Sequence, residues 1–215
     1  MFALQLRARV GLELQNALAL WPQTPLGGDV HFRVWQLVTY AFLHSTEKIQ
    51  VLPLNLWFNY ALFNPWDPHR PVYIWGLHIL FNMLGLWTFG TQIEHHEGPW
   101  RLVSCYLASV VTAAVAQLIV PPLLHAPPAP TIGASGGVFG LLLVFALMFP
   151  RRKVIPLIPP IPMPAWVFAA IYGGLELYFG VTGALPEVAH FAHLGGMVGS
   201  FLVVMQWRWS RVRAR

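Results

Sequence analysis

The sequence predicts an all-α fold, a polytopic membrane helix bundle with five spans. Apolar residues make up 56% of the 215 residues and charged residues only 10%, whereas charged residues are about 25% of a typical soluble domain. A chain with so few charges cannot build the charged surface that keeps a soluble fold dispersed. Its apolar residues also occur in runs close to the roughly 20 residues that a helix needs to cross a bilayer.

Five apolar segments are predicted to span the membrane as helices. The fourth is shorter than the others and follows a proline-rich stretch, residues 154–163. We expect that stretch to add depth without regular helix, because proline disrupts helix interiors. The predicted spans are residues 72–90, 102–120, 132–149, 164–179 and 188–207.

The N-terminal part is predicted to differ from the rest of the chain. Residues 1–31 contain no apolar run of spanning length, and charged residues interrupt any signal-peptide core. We interpret this segment as weakly hydrophobic, and as either truncated or without a first span. The chain then divides into three parts: an N-terminal segment 1–31, a membrane domain 32–207 and a basic tail 208–215.

The distribution of Lys and Arg predicts the orientation of the spans. These residues occur between the first and second spans, between the third and fourth, and after the fifth, while the connections 121–131 and 180–187 contain none. Cytoplasmic loops carry an excess of Lys and Arg, so the C-terminus is predicted to be cytoplasmic. The first, third and fifth spans then begin at the outer face, which brings His78, Ser135 and His193 to one depth.

A glycine-rich serine motif opens the third span. It reads Gly133-Ala134-Ser135-Gly136-Gly137. Glycines leave the hydroxyl uncrowded, and the free N–H groups at a helix start can stabilise an oxyanion. The alternative is a helix cap at a contact between helices, since serine is a common cap and small residues are common where membrane helices touch.

A histidine in the last span could serve this serine as a base. A serine alcohol needs such a base to become a nucleophile, and ionisable residues inside a membrane are functional by default. The alternative for His193 is a packing role with a bond to a backbone carbonyl. Small residues four apart, Gly136 and Gly140 on one helix and Gly196 and Ser200 on the other, allow the two helices to approach closely.

A third polar pair lies in the first span. His78 and Asn82 are four residues apart and share one helix face. Both side chains can donate hydrogen bonds to a developing negative oxygen. The alternative is a polar clamp between helices, which asparagine often forms in membranes.

Taken together, these patterns resemble those of the rhomboid intramembrane serine proteases. The resemblance covers residues from about 32 to 207, and its strength lies in the order of the motifs. The matching patterns are Trp35 to His44, His78-x-x-x-Asn82, Gly90…Glu94…Gly98, Gly133-x-Ser135-Gly136 and Ala192-His193-x-x-Gly196.

The resemblance implies a rhomboid-type bundle, normally of six spans, of which the first is missing or unclear here. It implies that Ser135 attacks a peptide carbonyl in a transmembrane substrate. It implies that His193 acts as general base and then as acid toward the leaving amine. Asn82, His78 and the backbone around Gly133 and the serine would form the oxyanion hole and bind substrate.

The resemblance also implies a dyad without a carboxylate. Glu176 is the only acid near mid-membrane and receives no role, and His190 is interpreted as a histidine at the rim of the site. Phe139, one turn after the serine, is expected to pack beneath His193. No His-Glu-x-x-His pattern occurs, so neither a metal nor a cofactor is expected.

The favoured function is therefore an intramembrane serine endopeptidase whose partners are transmembrane protein substrates and membrane lipid. One alternative is a non-catalytic rhomboid-like protein that binds membrane clients, although such relatives usually lack the serine or the histidine. A transporter or channel would predict internal repeats, and none is seen. Nucleic acid is not expected, because the basic residues cluster at the ends of apolar runs. Without an organelle-targeting signal, the expected location is a bacterial inner membrane.

Overall fold

The structure, a computed structural model, describes residues 8–22, 31–44, 49–50, 73–74, 77–156, 160–186 and 188–213. Helices dominate this part of the chain, as predicted. They are, in order, α1 (Ala8–Leu18), α2 (Gln36–Thr39), α3 (Leu77–Glu97), α4 (Pro99–Leu123), α5 (Ser135–Met148), α6 (Ala165–Thr182) and α7 (His190–Arg213). A 3-10 turn, Tyr40–Phe42, continues α2.

The five long helices, α3 to α7, lie at the positions of the five predicted spans. By length and apolar composition alone, two of the described helices, α4 and α6, could cross a membrane. Helix α5 is apolar but has 14 residues, so it is about 21 Å long against a bilayer core of about 30 Å. Polar residues within α3 and α7 lower their mean hydropathy. The number of five spans therefore remains a prediction.

Two short antiparallel strand pairs accompany the helices, and the sequence patterns do not predict them. Ile49–Gln50 (β1) pairs with Tyr73–Ile74 (β2) ahead of α3. Lys153–Val154 (β3) pairs with Met163–Pro164 (β4), so the two ends of the proline-rich stretch between α5 and α6 are joined as strands, and its described residues contain no helix. Each strand has only two residues, too few for an alternating pattern to be visible in a sequence.

Helix α7 packs closely against α4 and α5. A Cβ added to Gly196 on α7 would overlap the carbonyl group of Gly136 on α5. Likewise, a Cβ added to Gly140 would overlap the side chain of Ser109 on α4. The predicted close approach of the two helices that carry the serine and the histidine is therefore found, and glycine makes it possible.

The N-terminal segment docks on the loop that precedes α5. Leu20 and Thr131 form an antiparallel bridge with N···O distances of 2.8 and 2.9 Å. The Tyr40 hydroxyl donates to the carbonyl of Val110 on α4 at 2.9 Å. Leu20, Tyr40, Val110 and Ala114 are also buried together in one apolar cluster. Residues far outside α3 to α7 thus help to hold the start of α5.

Helix α4 is apolar on the face turned away from the bundle as well as on the face turned into it. Cys105, Ser109 and Ala113 are fully buried on the inner face. An exposed stripe recurs every fourth residue, and it consists of Leu107, Val111, Val115 and Ile119. A helix at the surface of a soluble protein would be polar on this face, so the stripe suits contact with lipid.

Candidate active site

Ser135 is the first residue of α5 and is half-buried. Two residues earlier, Gly133 has a φ of +121°, a conformation that glycine adopts far more easily than other residues. The Gly133 N–H donates to the carbonyl of Tyr40 at 3.0 Å. This turn delivers the chain to α5 with the serine at the helix start, where N–H groups have no acceptor one turn earlier in the helix.

His193 lies in the first turns of α7 and faces the serine. Its Nε2 is 2.7 Å from the Oγ of Ser135, although the two residues are 58 apart in the chain. The ring of Phe139 stacks on the imidazole with 4.2 Å between ring centroids and 3° between ring planes. The expected packing of Phe139 beneath His193 is confirmed. The stack fixes the plane of the imidazole while its Nε2 meets the hydroxyl.

His78 on α3 closes the other side of the serine. A Cβ added to Gly133 would lie 2.7 Å from the His78 Nε2 and 3.8 Å from the Ser135 Oγ. The His78 ring and the serine hydroxyl therefore flank one glycine. Asn82 is buried and donates through Nδ2 to the carbonyl of His78 at 2.9 Å. An amide carries two N–H donors, and the bond to His78 uses one of them, so Asn82 has a second N–H with which to bind another acceptor.

Gly133 was expected to contribute its backbone to the oxyanion hole, but the structure gives it a different role. Its N–H is already bonded to Tyr40, so it is not free to hold an oxyanion in this arrangement. Its contribution is conformational, because a side chain there would strike the His78 ring and would disfavour the positive φ. The free N–H groups at the start of α5, that of Ser135 first, are better placed to act as donors.

Two residues of the site are missed by the sequence patterns. His190, interpreted as a rim histidine, is only 6% exposed. Its Nδ1 lies 2.6 Å from the Oε2 of Glu176, and the same oxygen lies 3.0 Å from the Nδ1 of His193. The resemblance implies a dyad without a carboxylate, whereas the structure places a carboxylate beside the His193 imidazole. The available signal was the acid itself, because a carboxylate inside a span is costly and seldom idle.

His44 is a further residue to which the sequence patterns assign no role. It is 4% exposed, and its ring lies edge-on to that of His78 with 5.3 Å between centroids. Burial, and then the neighbouring His78, lower the pKa of His44 to about 4. His44 is therefore neutral at physiological pH and supports the His78 ring without adding charge.

The described residues hold no group of three or more His, Cys, Asp or Glu side chains arranged for a metal ion. What they do assemble is a hydroxyl, a base within hydrogen-bond distance of it, and donors beside both. A histidine that takes the proton of a serine converts a weak alcohol into a nucleophile. Donors directed at the reacting centre stabilise the oxyanion that follows. The arrangement is suited to acyl transfer.

Fold and site together define a helical membrane protein with a serine–histidine pair between two of its helices. The sequence matches the family described as Rhomboid domain over residues 72–209, more than half of the chain. The chain belongs to the rhomboid family, and it is accordingly an integral membrane protein.

Individual relatives agree with this membership. "Rhomboid protein 1, mitochondrial" of Saccharomyces cerevisiae is 37% identical over 124 residues, which is 55% of this chain and 34% of that protein. "Rhomboid protease GluP" of Bacillus subtilis is 29% identical over 126 residues, 58% of this chain and 22% of that protein. "RHOMBOID-like protein 12, mitochondrial" of Arabidopsis thaliana is 30% identical over 149 residues, 63% of this chain and 42% of that protein.

The chain thus spans less than half the length of each of these relatives. The relatives also bear on location. They include proteins named as mitochondrial and as chloroplastic, so the expectation of a bacterial inner membrane is not supported. What stands is the integral membrane protein.

Proposed function

We propose that this protein is an intramembrane serine endopeptidase that hydrolyses peptide bonds in or near transmembrane segments of other membrane proteins. The observation that carries the proposal is the 2.7 Å separation of the Ser135 Oγ and the His193 Nε2. Membership of a family that includes a protein named as a protease supports it. The presence of both serine and histidine argues against the alternative of a non-catalytic protein that binds membrane clients.

The reaction follows from the atoms at the site. The Ser135 Oγ attacks the carbonyl carbon of the substrate peptide while its proton passes to the His193 Nε2. The carbonyl oxygen becomes an oxyanion, for which the Ser135 N–H, His78 and Asn82 are the donors we assign. His193 returns the proton to the leaving amine, which leaves an acyl ester on Ser135. Water, deprotonated by the same histidine, hydrolyses that ester and frees the serine.

The proposal includes the membrane arrangement. Residues 32–207 form the membrane domain, and α3 to α7 are its five spans, with the basic C-terminus on the cytoplasmic side. The carboxylate of Glu97 supports this arrangement, because it is 5% exposed and accepts hydrogen bonds from both Arg101 and Arg211. Two basic stretches predicted on the same side therefore meet at one end of the bundle. His193 lies 18 residues before Arg211 on α7, about 27 Å away along the helix.

Labelling with a fluorophosphonate probe tests the function. The activated Ser135 would attack phosphorus, release fluoride and pass its proton to His193. We expect labelling of the detergent-purified protein and none of Ser135→Ala or His193→Ala, with all three folded by circular dichroism. Cleavage of a transmembrane peptide with the same dependence would complete the case. A folded wild type that takes up no probe would contradict the proposal and would favour the client-binding alternative.

A further inference from the structure

The Oε2 of Glu176 is shared by two histidines of α7. It lies 2.6 Å from the Nδ1 of His190 and 3.0 Å from the Nδ1 of His193. All three side chains are nearly buried, with 12%, 6% and 9% of their surfaces exposed. His190 and His193 are three residues apart on one helix face, so a single carboxylate from α6 reaches both.

The contacts of these rings restrict where the protons lie. The His193 Nε2 can act as a base toward Ser135 only if it is unprotonated, so the proton of the neutral ring is on Nδ1, facing Glu176. The His190 Nε2 lies 3.1 and 3.2 Å from the carbonyl oxygens of Ala184 and Leu185. Carbonyl oxygens only accept, so this Nε2 carries a proton.

The short contact between the His190 Nδ1 and the Glu176 Oε2 then needs a proton of its own. Without it, the lone pair of Nδ1 would face a carboxylate oxygen. We place that proton on the His190 Nδ1, so that the Glu176 carboxylate stays ionised and the net charge of the pair is zero. A buried carboxylate is costly when unpaired, and His190 supplies the compensating charge.

We propose that Glu176 is a positioning residue for His193, and that His190 holds Glu176 in place. The inference rests on the proposed function and deepens it. When His193 accepts the serine proton it becomes an imidazolium with an N–H on each nitrogen. The Nδ1–H then faces the Glu176 carboxylate, which stabilises the new charge and keeps the Nε2 directed at the serine, as the acid does in serine triads.

The contact between the His193 Nδ1 and the Glu176 Oε2 is close but not yet an aligned hydrogen bond. The Nδ1 of His193 is buried and, among the described residues, makes no well-aligned hydrogen bond, although Oε2 is 3.0 Å away. Hydrogen bonds of catalytic groups are often poorly aligned before substrate binds. Phe139 already holds the imidazole plane, so we expect the alignment with Glu176 to improve when substrate binds.

The test compares Glu176→Gln and Glu176→Asp with Glu97→Gln. Glu97 is a matched control because it is a buried acid paired with basic side chains at the other end of the bundle. The readout is the rate of fluorophosphonate labelling at saturating probe, together with the half-saturating concentration. Glutamine offers no charged acceptor to the imidazolium, so we expect roughly a 10- to 100-fold loss of rate in Glu176→Gln with half-saturation unchanged, which is about 1.4–2.7 kcal/mol.

The other two variants sharpen the result. Glu176→Asp keeps the charge on a shorter side chain and should recover part of the loss, whereas Glu97→Gln should label at the wild-type rate. Labelling of Glu176→Gln at the wild-type rate would overturn the inference and leave the proposed protease intact. Equal losses in Glu176→Gln and Glu97→Gln would assign Glu176 a merely structural role and would overturn it as well.

A second measurement judges the contact without turnover. In a histidine-labelled sample, the Nδ1 proton of His193 should give a downfield resonance that is absent in His193→Ala. Its loss in Glu176→Gln would support the contact even if the wild type failed to react with the probe, a failure that would count against the protease alone. Its persistence in Glu176→Gln would overturn the inference.

Discussion

The contact between Gly196 and Gly136 sets the distance between the serine and the histidine, and Gly196→Ala tests this. The added Cβ would lie 2.7 Å from the carbonyl carbon of Gly136, whereas non-bonded carbons are comfortable at roughly 3.5–4.0 Å. The carbonyl oxygen of Gly136 lies closer still, so the helices α5 and α7 must separate by at least about 1 Å. That displacement would stretch the 2.7 Å Ser135–His193 contact to about 3.7 Å, beyond a hydrogen bond.

The expected consequence is large for activity and moderate for stability. A 1 Å misplacement of reacting groups costs about 100-fold in rate, and overpacking a close contact costs about 1–3 kcal/mol of folding free energy. The assays are fluorophosphonate labelling and thermal unfolding in detergent. Gly174→Ala on α6 is the matched control, because nothing lies within 4 Å of its added Cβ. Wild-type labelling by Gly196→Ala would refute the reasoning.

Three further predictions follow from single contacts. Phe139→Leu loses the stack on His193, worth about 0.5–1.5 kcal/mol, and should slow labelling roughly 2- to 10-fold; an unchanged rate would show that the stack does not orient the ring. Glu97→Gln loses its charged hydrogen bonds and should lower stability by about 1–3 kcal/mol, seen as a lower Tm; an unchanged Tm would contradict this. The pKa of His44 is about 4, below the ordinary 6.5, through burial and then through His78. Between pH 4 and 6.5 the His44 imidazole is therefore protonated in the unfolded chain and neutral in the folded protein. The unfolded state gains stability from that proton, so the Tm should fall as the pH drops from 6.5 to 4. His44→Gln should reduce that slope, and the same slope in both proteins would refute the assignment.

The sequence was sufficient for the serine–histidine pair because its signals are local. Ser135 is marked by flanking glycines and His193 by being an ionisable residue in an apolar run, and the predicted orientation of the spans would bring both to one depth. Their meeting could then be expected without knowing how the helices rotate. The same reasoning could not join Glu176 to His190, because that contact depends on which face of α6 turns toward α7, and packing alone decides this.

Element boundaries differed from the prediction for a related reason. The first predicted span ends at residue 90, but α3 continues to Glu97. The polar turns beyond residue 90 look like a loop in a hydropathy pattern, yet α3 continues as far as Gly98, whose φ of +87° ends the helix. Arg101 and Arg211 bond to Glu97 in its last turn. Helix α6, by contrast, begins at Ala165, directly after Pro164. Proline is favoured at helix starts and disfavoured in helix interiors, so this boundary can be predicted from the sequence.

Backbone hydrogen bonds attach Thr131 to Leu20 and Gly133 to Tyr40. The part of the chain that holds the active site in place therefore differs from the part that matches the family. Residues 72–209 are the part that matches the family described as Rhomboid domain, and they contain both Ser135 and His193. A protein trimmed to those limits would keep every catalytic side chain and lose the braces that hold the serine loop. The smallest unit that can be expected to work therefore reaches back to the N-terminal segment, well ahead of the start of the family match at residue 72.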